Sequence, residues 1–404
     1  MIFVFYILAV LLIFLSYKSL RGGIDYLNYF KKELATPRSH YAPFATVIAP
    51  CKGLDDGLEE NLMALLELDY PGYEVIYVVD DPDDAAVADI EKVSRTGAKT
   101  ANAKLIVAPK ATDSSQKVEN LREAVLHTDE RSEVFVFVDS DARPSTDWLR
   151  SLVAPLEDVT IGATTGYRWF ISRRPTFASE LRNIWNASIA SALGPDSKSN
   201  FCWGGSTAIR RDTFERLDIR EKWSGTLSDD LTVTRVIKDA GMKVKFVPQA
   251  LTPSIGNCKF SEMLEFTTRQ MKVTRVYAQR FWVMSFLGSG LFCIVMIAAL
   301  LIAALSPRNG IEVFAAIATL LLVTILSVGK SWLRLMAARL ILTEYDGELR
   351  KQALPQLTLW LISPFVFLYN CVAALFSRRL VWRGTKYKLV SSTSTLIIKP
   401  DVWK

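Results

Sequence analysis

Apolar and polar positions divide this chain into three stretches. Residues 2 to 15 are almost wholly apolar and, with Ser16 through Leu20, make a run just long enough to span a bilayer. Tyr17 and Lys18 mark an interface. The run lacks a basic n-region and a small-residue cleavage site, so an uncleaved anchor over 1–20 is expected rather than a signal peptide. From about residue 44 the pattern switches to short strands alternating with helices. Ala45–Ala49, Tyr73–Val79, Lys104–Val107 and the run from Val134 read as strands, with helices over Leu58–Leu68, Ala85–Ser94 and Lys117–His127 between them. This order predicts an α/β domain, about 44–280, with a mostly parallel sheet and right-handed crossovers. Ile161–Trp169, Thr207–Arg210 and Met242–Val247 read as further strands. Thr176–Leu193 and a segment from Asp229 to about Ala240, closed by Gly241, read as helices.

Phe260–Tyr277 is helical and basic, and apolar runs dominate beyond it. Val283–Leu305 and Ile311–Val328 are each long enough to span, joined by a tight turn at Ser306–Gly310. Lys330–Leu342 reads as an amphipathic interfacial helix. Leu357–Phe376 is a third apolar stretch, interrupted by Pro364 and flanked by basic residues on both sides. A simple span would leave one basic group on the wrong face, so a span and a re-entrant segment both stay open. The membrane region is therefore expected over 281–380, with a tail over 381–404. Lys18, Arg21, Lys31 and Lys32 follow the first run, which puts the α/β domain on the cytoplasmic face of a multi-pass membrane protein.

Half of the chain is hydrophobic and 22% is charged, with the apolar excess at the two ends. The formal charge of +6 fits Lys and Arg lying beside anionic lipid. No basic helix with interleaved aromatics is present, so nucleic acid is not an expected partner. The five cysteines fall in no metal-like spacing and there are only two histidines, which excludes a His-based zinc site or triad. Chemistry must then rest on carboxylates and basic side chains.

The carboxylates sit where such a domain binds ligands. Val134-Phe-Val-Phe-Val-Asp139-Ser-Asp141 is a buried strand ending in carboxylates two residues apart. In extended chain they point the same way, and hard oxygen ligands of this kind suit Mg²⁺ or Mn²⁺ carrying a diphosphate. Asp81 ends another strand and can accept hydrogen bonds from a uracil or ribose. Asp230 opens a helix and can take the proton of an attacking hydroxyl. Arg269 and Lys272, on the basic helix, can stabilise a leaving diphosphate. No GxGxxG follows the first strand, so a dinucleotide site is not indicated.

Lys52-Gly-Leu-Asp-Asp, Leu66-Glu-Leu-Asp-Tyr-Pro-Gly-Tyr-Glu-Val75, Asp81-Pro-Asp-Asp84, Lys117-Val-Glu-Asn-Leu121, Val138-Asp-Ser140 and Asp229-Asp230 carry a family resemblance over about residues 1–280. The chain resembles the inverting, membrane-bound, family-2-type glycosyltransferases with a GT-A domain, most closely the ceramide glucosyltransferases. The resemblance implies that Asp81 contacts uridine, that Asp139 belongs to a metal–diphosphate site and that Asp230 is the catalytic base. It implies that Lys52, Gly53 and Lys117 line the nucleotide pocket, and that Trp203, Gly204, Gly205 and Asp229 border the acceptor. Two departures stand out. The basic motif is Arg269-Gln-Met-Lys272-Val273, with Lys for the family's Arg and Val for its Trp; a Lys meets phosphate as a point charge without a bidentate fork. Asp141 completes a DxD where the ceramide branch often has a smaller residue. Both point to a divergent bacterial relative in the inner membrane.

The expected function is transfer of a hexose, glucose first, from a UDP-sugar to the hydroxyl of a ceramide-like membrane lipid, with Mg²⁺ or Mn²⁺ as cofactor. A hopanoid, polyprenyl or polysaccharide acceptor is the alternative, and a non-catalytic sugar-nucleotide-binding scaffold is the non-enzyme reading.

Overall fold

A computed structural model describes residues 2–96, 101–306 and 310–398. Most of the turn expected at Ser306–Gly310 and the end of the expected tail lie outside the described residues. In chain order come α1 (Ile2–Ala35), β1 (Ala45–Pro50), α2 (Leu58–Leu66), β2 (Tyr73–Val79), α3 (Ala86–Thr96), β3 (Asn102–Val107), α4 (Gln116–Ala124), β4 (Val134–Phe137), α5 (Trp148–Val153), β5 (Ile161–Ile171) and α6 (Phe177–Ala190). Then follow β6 (Thr207–Arg210), α7 (Arg211–Arg216), α8 (Ile219–Lys222), α9 (Asp229–Asp239), β7 (Lys243–Ile255), α10 (Phe260–Tyr277), α11 (Gln279–Leu305), α12 (Ile311–Ile341), α13 (Asp346–Lys351), α14 (Ala353–Thr358) and α15 (Ser363–Phe376). β8 (Arg379–Trp382), β9 (Thr385–Ser391) and β10 (Ser394–Ile397) complete the described chain.

Two compact units result, and chain order does not separate them. Among the described residues, one gathers 32–173, 192–256 and 378–398; the other gathers 2–31, 174–191 and 257–377. In the first, seven strands form one sheet in the order β3-β2-β1-β4-β6-β5-β7. β1 pairs in parallel with β2 and β4, and β2 with β3, while β6 runs antiparallel to both of its neighbours. The chain winds outward from β1 to β3 and returns to β4 on the other side of β1. That reversal opens a crevice outside the carboxyl ends of β1 and β4, where ligands bind in open α/β sheets. β1, β2 and β4 are buried almost throughout, as parallel strands covered on both faces must be. Trp223 meets Phe137 and Phe214 edge-on in the core beneath, and its indole donates to the Asp229 carbonyl at 3.0 Å. The core thereby braces the first turn of α9.

The segment after residue 380, expected as a tail, folds in this same unit as an antiparallel sheet, β10-β9-β8. Arg383 and Gly384, both with positive φ (47° and 77°), make the two-residue turn between β8 and β9.

In the second unit, α1, α11 and α12 are long and apolar enough to cross a membrane. α1 runs unbroken to Ala35, well past the expected end of the anchor at residue 20, and α12 joins the expected second span to the expected interfacial helix. At about 1.5 Å per residue both exceed the roughly 30 Å of a hydrocarbon core. The stretch with Pro364 forms two helical pieces, Ala353–Leu361 and Ser363–Phe376, bent by 55° at the break. Pro364 lies at the start of α15, where its missing N–H costs nothing.

Candidate active site

β4 stops at Phe137, and the chain turns out of the sheet carrying Asp139, Ser140 and Asp141. The two aspartates share a side: one guanidinium, that of Arg168 on β5, reaches Asp139 through Nη2 and Asp141 through Nη1, each at 3.2 Å. Ser140 points away, its hydroxyl donating to Asp55 at 2.7 Å. Burial alone would raise Asp139, but Lys117 and Arg168 hold it below the usual carboxylate range. Asp141 is raised, by burial and by neighbouring Asp139 and Asp55, against the pull of Arg168. Its Oδ1 is buried and has no hydrogen-bond partner among the described residues. Such an orphaned carboxylate oxygen beside a second carboxylate fits a divalent cation. No group of three or more potential ligand side chains occurs among the described residues, so a cation here would take its remaining ligands from outside the chain.

Lys117 ties this pair to the next element. Ser115 caps α4, accepting from the Val118 N–H, and Lys117 lies in the first turn. Its ammonium sits 2.7 Å from Asp139 Oδ1 and 3.2 Å from Asp229 Oδ2. Burial would lower Lys117, but Asp139, Asp229 and Asp230 hold it well above the ordinary lysine value. Asp229, buried at the start of α9, is pushed up to about 6 by burial, with Lys117 opposing and Asp230 adding to the rise. Asp230 is half-buried, and its carboxylate accepts from the Gly204 N–H at 3.2 Å, the Leu231 N–H at 2.7 Å and the Ser228 hydroxyl. The helix N-terminus favours both negative charges.

Gly204 sits where these groups converge. A Cβ there would lie 2.3 Å from Asp229 Oδ2 and 2.6 Å from Lys117 Nζ. Gly204→Ala is expected to cost about 1–3 kcal/mol of stability, the usual penalty of overpacking, and to break the Lys117–Asp229 contact. Chemical denaturation with a coincident loss of transfer activity checks it, and a variant of unchanged stability would contradict the packing. Trp203, expected at the acceptor, is 6% exposed, with its ring 4.8 Å under the Arg168 guanidinium and 5.6 Å from Tyr167. Gly205 packs against that same ring.

A second group lies at the ends of β1 and β2. Lys52 pairs with buried Asp80 at 3.0 Å, and Lys110 bridges Asp80 and Asp81, each at 3.1 Å. Asp81 is half-buried, and the Asp83 N–H together with Lys110 holds it below the usual range. Gly53, at φ +66°, donates its N–H to Asp84. Opposite, Arg383 at the β8–β9 turn grips Asp55 at 2.6 and 2.8 Å, and its charge acts on Asp139 and Asp141 as well.

The sheet unit thus brings together Lys117, Asp139, Asp141, Trp203, Gly204, Gly205, Asp229 and Asp230, with Lys52, Gly53 and Asp81 along the neighbouring strand ends. Arg269 and Lys272 lie on α10, in the other unit. There burial lowers Lys272, and the Arg269 guanidinium sits 5.7 Å from the Phe266 ring. Sequence reasoning missed Arg168, Asp55, Lys110 and Arg383. A charged residue inside the apolar strand Ile161–Ile171 was the available signal for Arg168. Asp55 stood unassigned in the Lys52-Gly-Leu-Asp-Asp stretch.

The chain matches the model of glycosyl transferase family 21 over residues 3–395, and so belongs to that family. Among solved structures it is similar to the mannosyltransferase from Pyrobaculum calidifontis in complex with GDP-Man and Mn²⁺, at 18% identity over 92% of this chain and 98% of that one, with a TM-score of 0.46. It is also similar to glucosyl-3-phosphoglycerate synthase from Mycobacterium tuberculosis in complex with Mn²⁺ and UDP-Glc, at 15% identity over 61% of this chain and 80% of that one, with a TM-score of 0.34.

Proposed function

We propose that this family 21 glycosyltransferase moves a hexose, glucose first among candidates, from a UDP-sugar to the hydroxyl of a ceramide-like membrane lipid, with inversion, at the cytoplasmic face. The observation that carries the reading is the half-buried Asp230 carboxylate. It is fixed by Gly204, Ser228 and Leu231 and linked through Gly204 and Lys117 to the Asp139–Asp141 pair.

In a single displacement the acceptor oxygen attacks the anomeric carbon as the bond to the UDP β-phosphate breaks. Asp230 accepts the hydroxyl proton as the new glycosidic bond forms, and the electron pair of the broken bond leaves with UDP. Three backbone and side-chain donors hold the Asp230 carboxylate in one orientation, so little reorganisation is needed when it takes the proton. Asp139 and Asp141 would hold Mg²⁺ or Mn²⁺, whose charge would neutralise the departing diphosphate. Arg168, Lys117 and Arg383 surround those carboxylates and keep the site's charge near balance. Asp81 would accept from the uridine, with Lys52, Gly53 and Lys110 around it, and the positive charge of Arg269 and Lys272 suits a departing diphosphate. Trp203, Gly204, Gly205 and Asp229 would form the wall beneath the acceptor. The apolar helices α1, α11 and α12 support a lipid rather than a soluble acceptor.

The test is incubation of the detergent-solubilised chain with UDP-glucose, Mn²⁺ and separate lipids. UDP release coupled to a ceramide product heavier by one hexose is the expected result. Release only with a hopanoid or polyprenyl lipid would move the acceptor, and no release with any UDP-sugar would end the donor assignment.

A further inference from the structure

We propose that the membrane unit carries a binding site for an amphiphile with a phosphate-type anionic head group, an inference independent of how the Asp139–Asp141 and Asp229–Asp230 carboxylates are read. A cavity of about 350 Å³ opens among α1, α6, α11, α12 and the bent pair, in the size range of small-ligand pockets. Its walls are of two kinds. Leu12, Phe292, Trp360 and Phe367 line one part, whereas serines together with Lys330 and Arg334 line the other.

The two cations set the chemistry. Arg334 is 3% exposed; its Nη atoms donate to Ser188 Oγ at 3.1 Å and Gln356 Oε1 at 3.0 Å, both neutral acceptors. Its Nε is buried with no hydrogen-bond partner among the described residues, and so is the hydroxyl of Ser363 in the cavity wall. Lys330, one turn earlier, donates to Ser19 Oγ at 2.8 Å. Like charges four residues apart on a helix repel. No carboxylate is among the groups acting on either cation, and no ion pair to either occurs among the described residues. Removing such charges from water without a counter-charge costs several kcal/mol. An anion seated between them would satisfy the charges, the spare Nε–H and the Ser363 hydroxyl together.

The position selects a lipid head group over a free ion. Lys330 follows the apolar run of α12, and Ser19 follows the apolar run of α1, so the cations sit at the head-group end of the bundle with the apolar wall running deeper. Glycines bring these helices close: a Cβ on Gly23 would lie 3.3 Å from Lys330 Cγ, and one on Gly329 3.1 Å from Leu20 Cδ1. Acyl carbon then lies along Leu12 and Phe292 while phosphate oxygens reach Lys330 and Arg334.

Native mass spectrometry of the full chain in neutral detergent tests this. Phosphatidylglycerol, phosphatidylcholine of the same acyl chains and inorganic phosphate are titrated separately. One phosphatidylglycerol per chain should bind saturably and at least about tenfold more tightly than phosphatidylcholine, with Lys330→Gln and Arg334→Gln each weakening it about tenfold. Equal binding of the two lipids, or folded variants that bind phosphatidylglycerol like the parent, would overturn the site. Inorganic phosphate competing as well as the lipid would overturn the lipid source. The lipid selectivity of the parent chain needs no variant, so a variant that fails to fold leaves the test standing.

Discussion

Replacing Asp230 with Asn is expected to lower the transfer rate by about 10²- to 10⁴-fold, the usual contribution of a positioned general base, while UDP-glucose still binds. The substitution keeps shape and removes one thing, the capacity to hold the acceptor's proton. Its cost to the fold is small but not zero. Both carboxylate oxygens now receive donors, and an amide nitrogen would face either Gly204 or the Ser228–Leu231 side. The Ser228 hydroxyl can turn to accept; the Leu231 N–H cannot. Turnover numbers and calorimetric binding of UDP-glucose, measured on one preparation, separate these effects. Asp229→Asn is the control. Asp229 is buried against Lys117, so its loss should free Lys117 and disturb the nucleotide site, moving binding and turnover together. If Asp229→Asn alone gave a pure turnover loss, the two neighbours would exchange roles. If Asp230→Asn lost nucleotide binding, its role as base would fall.

Adjacent aspartates in one helical turn are easy to find in a sequence and hard to tell apart in it. Residues one apart on a helix face directions about 100° from each other, which follows from about 3.6 residues per turn. Which one faces inward depends on Lys117, far away in the chain. The same limit runs through the whole site. Asp139 and Asp141 were legible because a buried strand ending in carboxylates is a local pattern, and Asp230 because it opens a helix, whereas Lys117 entered only through the family resemblance. The parallel arrangement of β1 to β4 followed from their alternation with helices. Arg168 was passed over because Ile161–Trp169 was read only as a strand, with no role given to its charged residue. The guanidinium stands in that buried strand because two carboxylates of a neighbouring loop and the Trp203 ring surround it.

The long apolar helices outrun the spans read for them: the anchor was read to residue 20 and the second span to Val328, and α1 and α12 both continue beyond those points. Charge marks where a helix leaves hydrocarbon, not where its hydrogen bonding stops. α1 ends only before Thr36 and Pro37, where the residue preceding proline is pushed out of the helical region.

Arg383 offers the second large effect, and its backbone makes the experiment clean. A non-glycine residue in the left-handed region costs about 1–2 kcal/mol, and the next turn position already carries a glycine. Arg383→Gly should therefore relax the β8–β9 turn while removing the guanidinium that holds Asp55 and acts on Asp139 and Asp141. The expected outcome is a melting temperature equal to or above that of the parent, with kcat/KM for UDP-glucose lower by about 10²- to 10³-fold, the loss typical of one donor to a developing oxyanion. Arg383→Lys should recover part of the rate, because the charge returns without the two-pronged fork that now spans both oxygens of Asp55. The contrast between the variants matters more than either value. Were Arg383 only an anchor for the terminal sheet, Arg383→Lys and Arg383→Gly would both retain activity as long as β8 to β10 stayed folded, a condition that protection of the Trp382–Thr385 pairing in hydrogen exchange reports directly. A stable Arg383→Gly enzyme with parental kcat/KM would remove this residue from the site. A stable but slow one would mean that the last strands of the chain complete an active site whose first carboxylate is Asp55, 328 residues earlier.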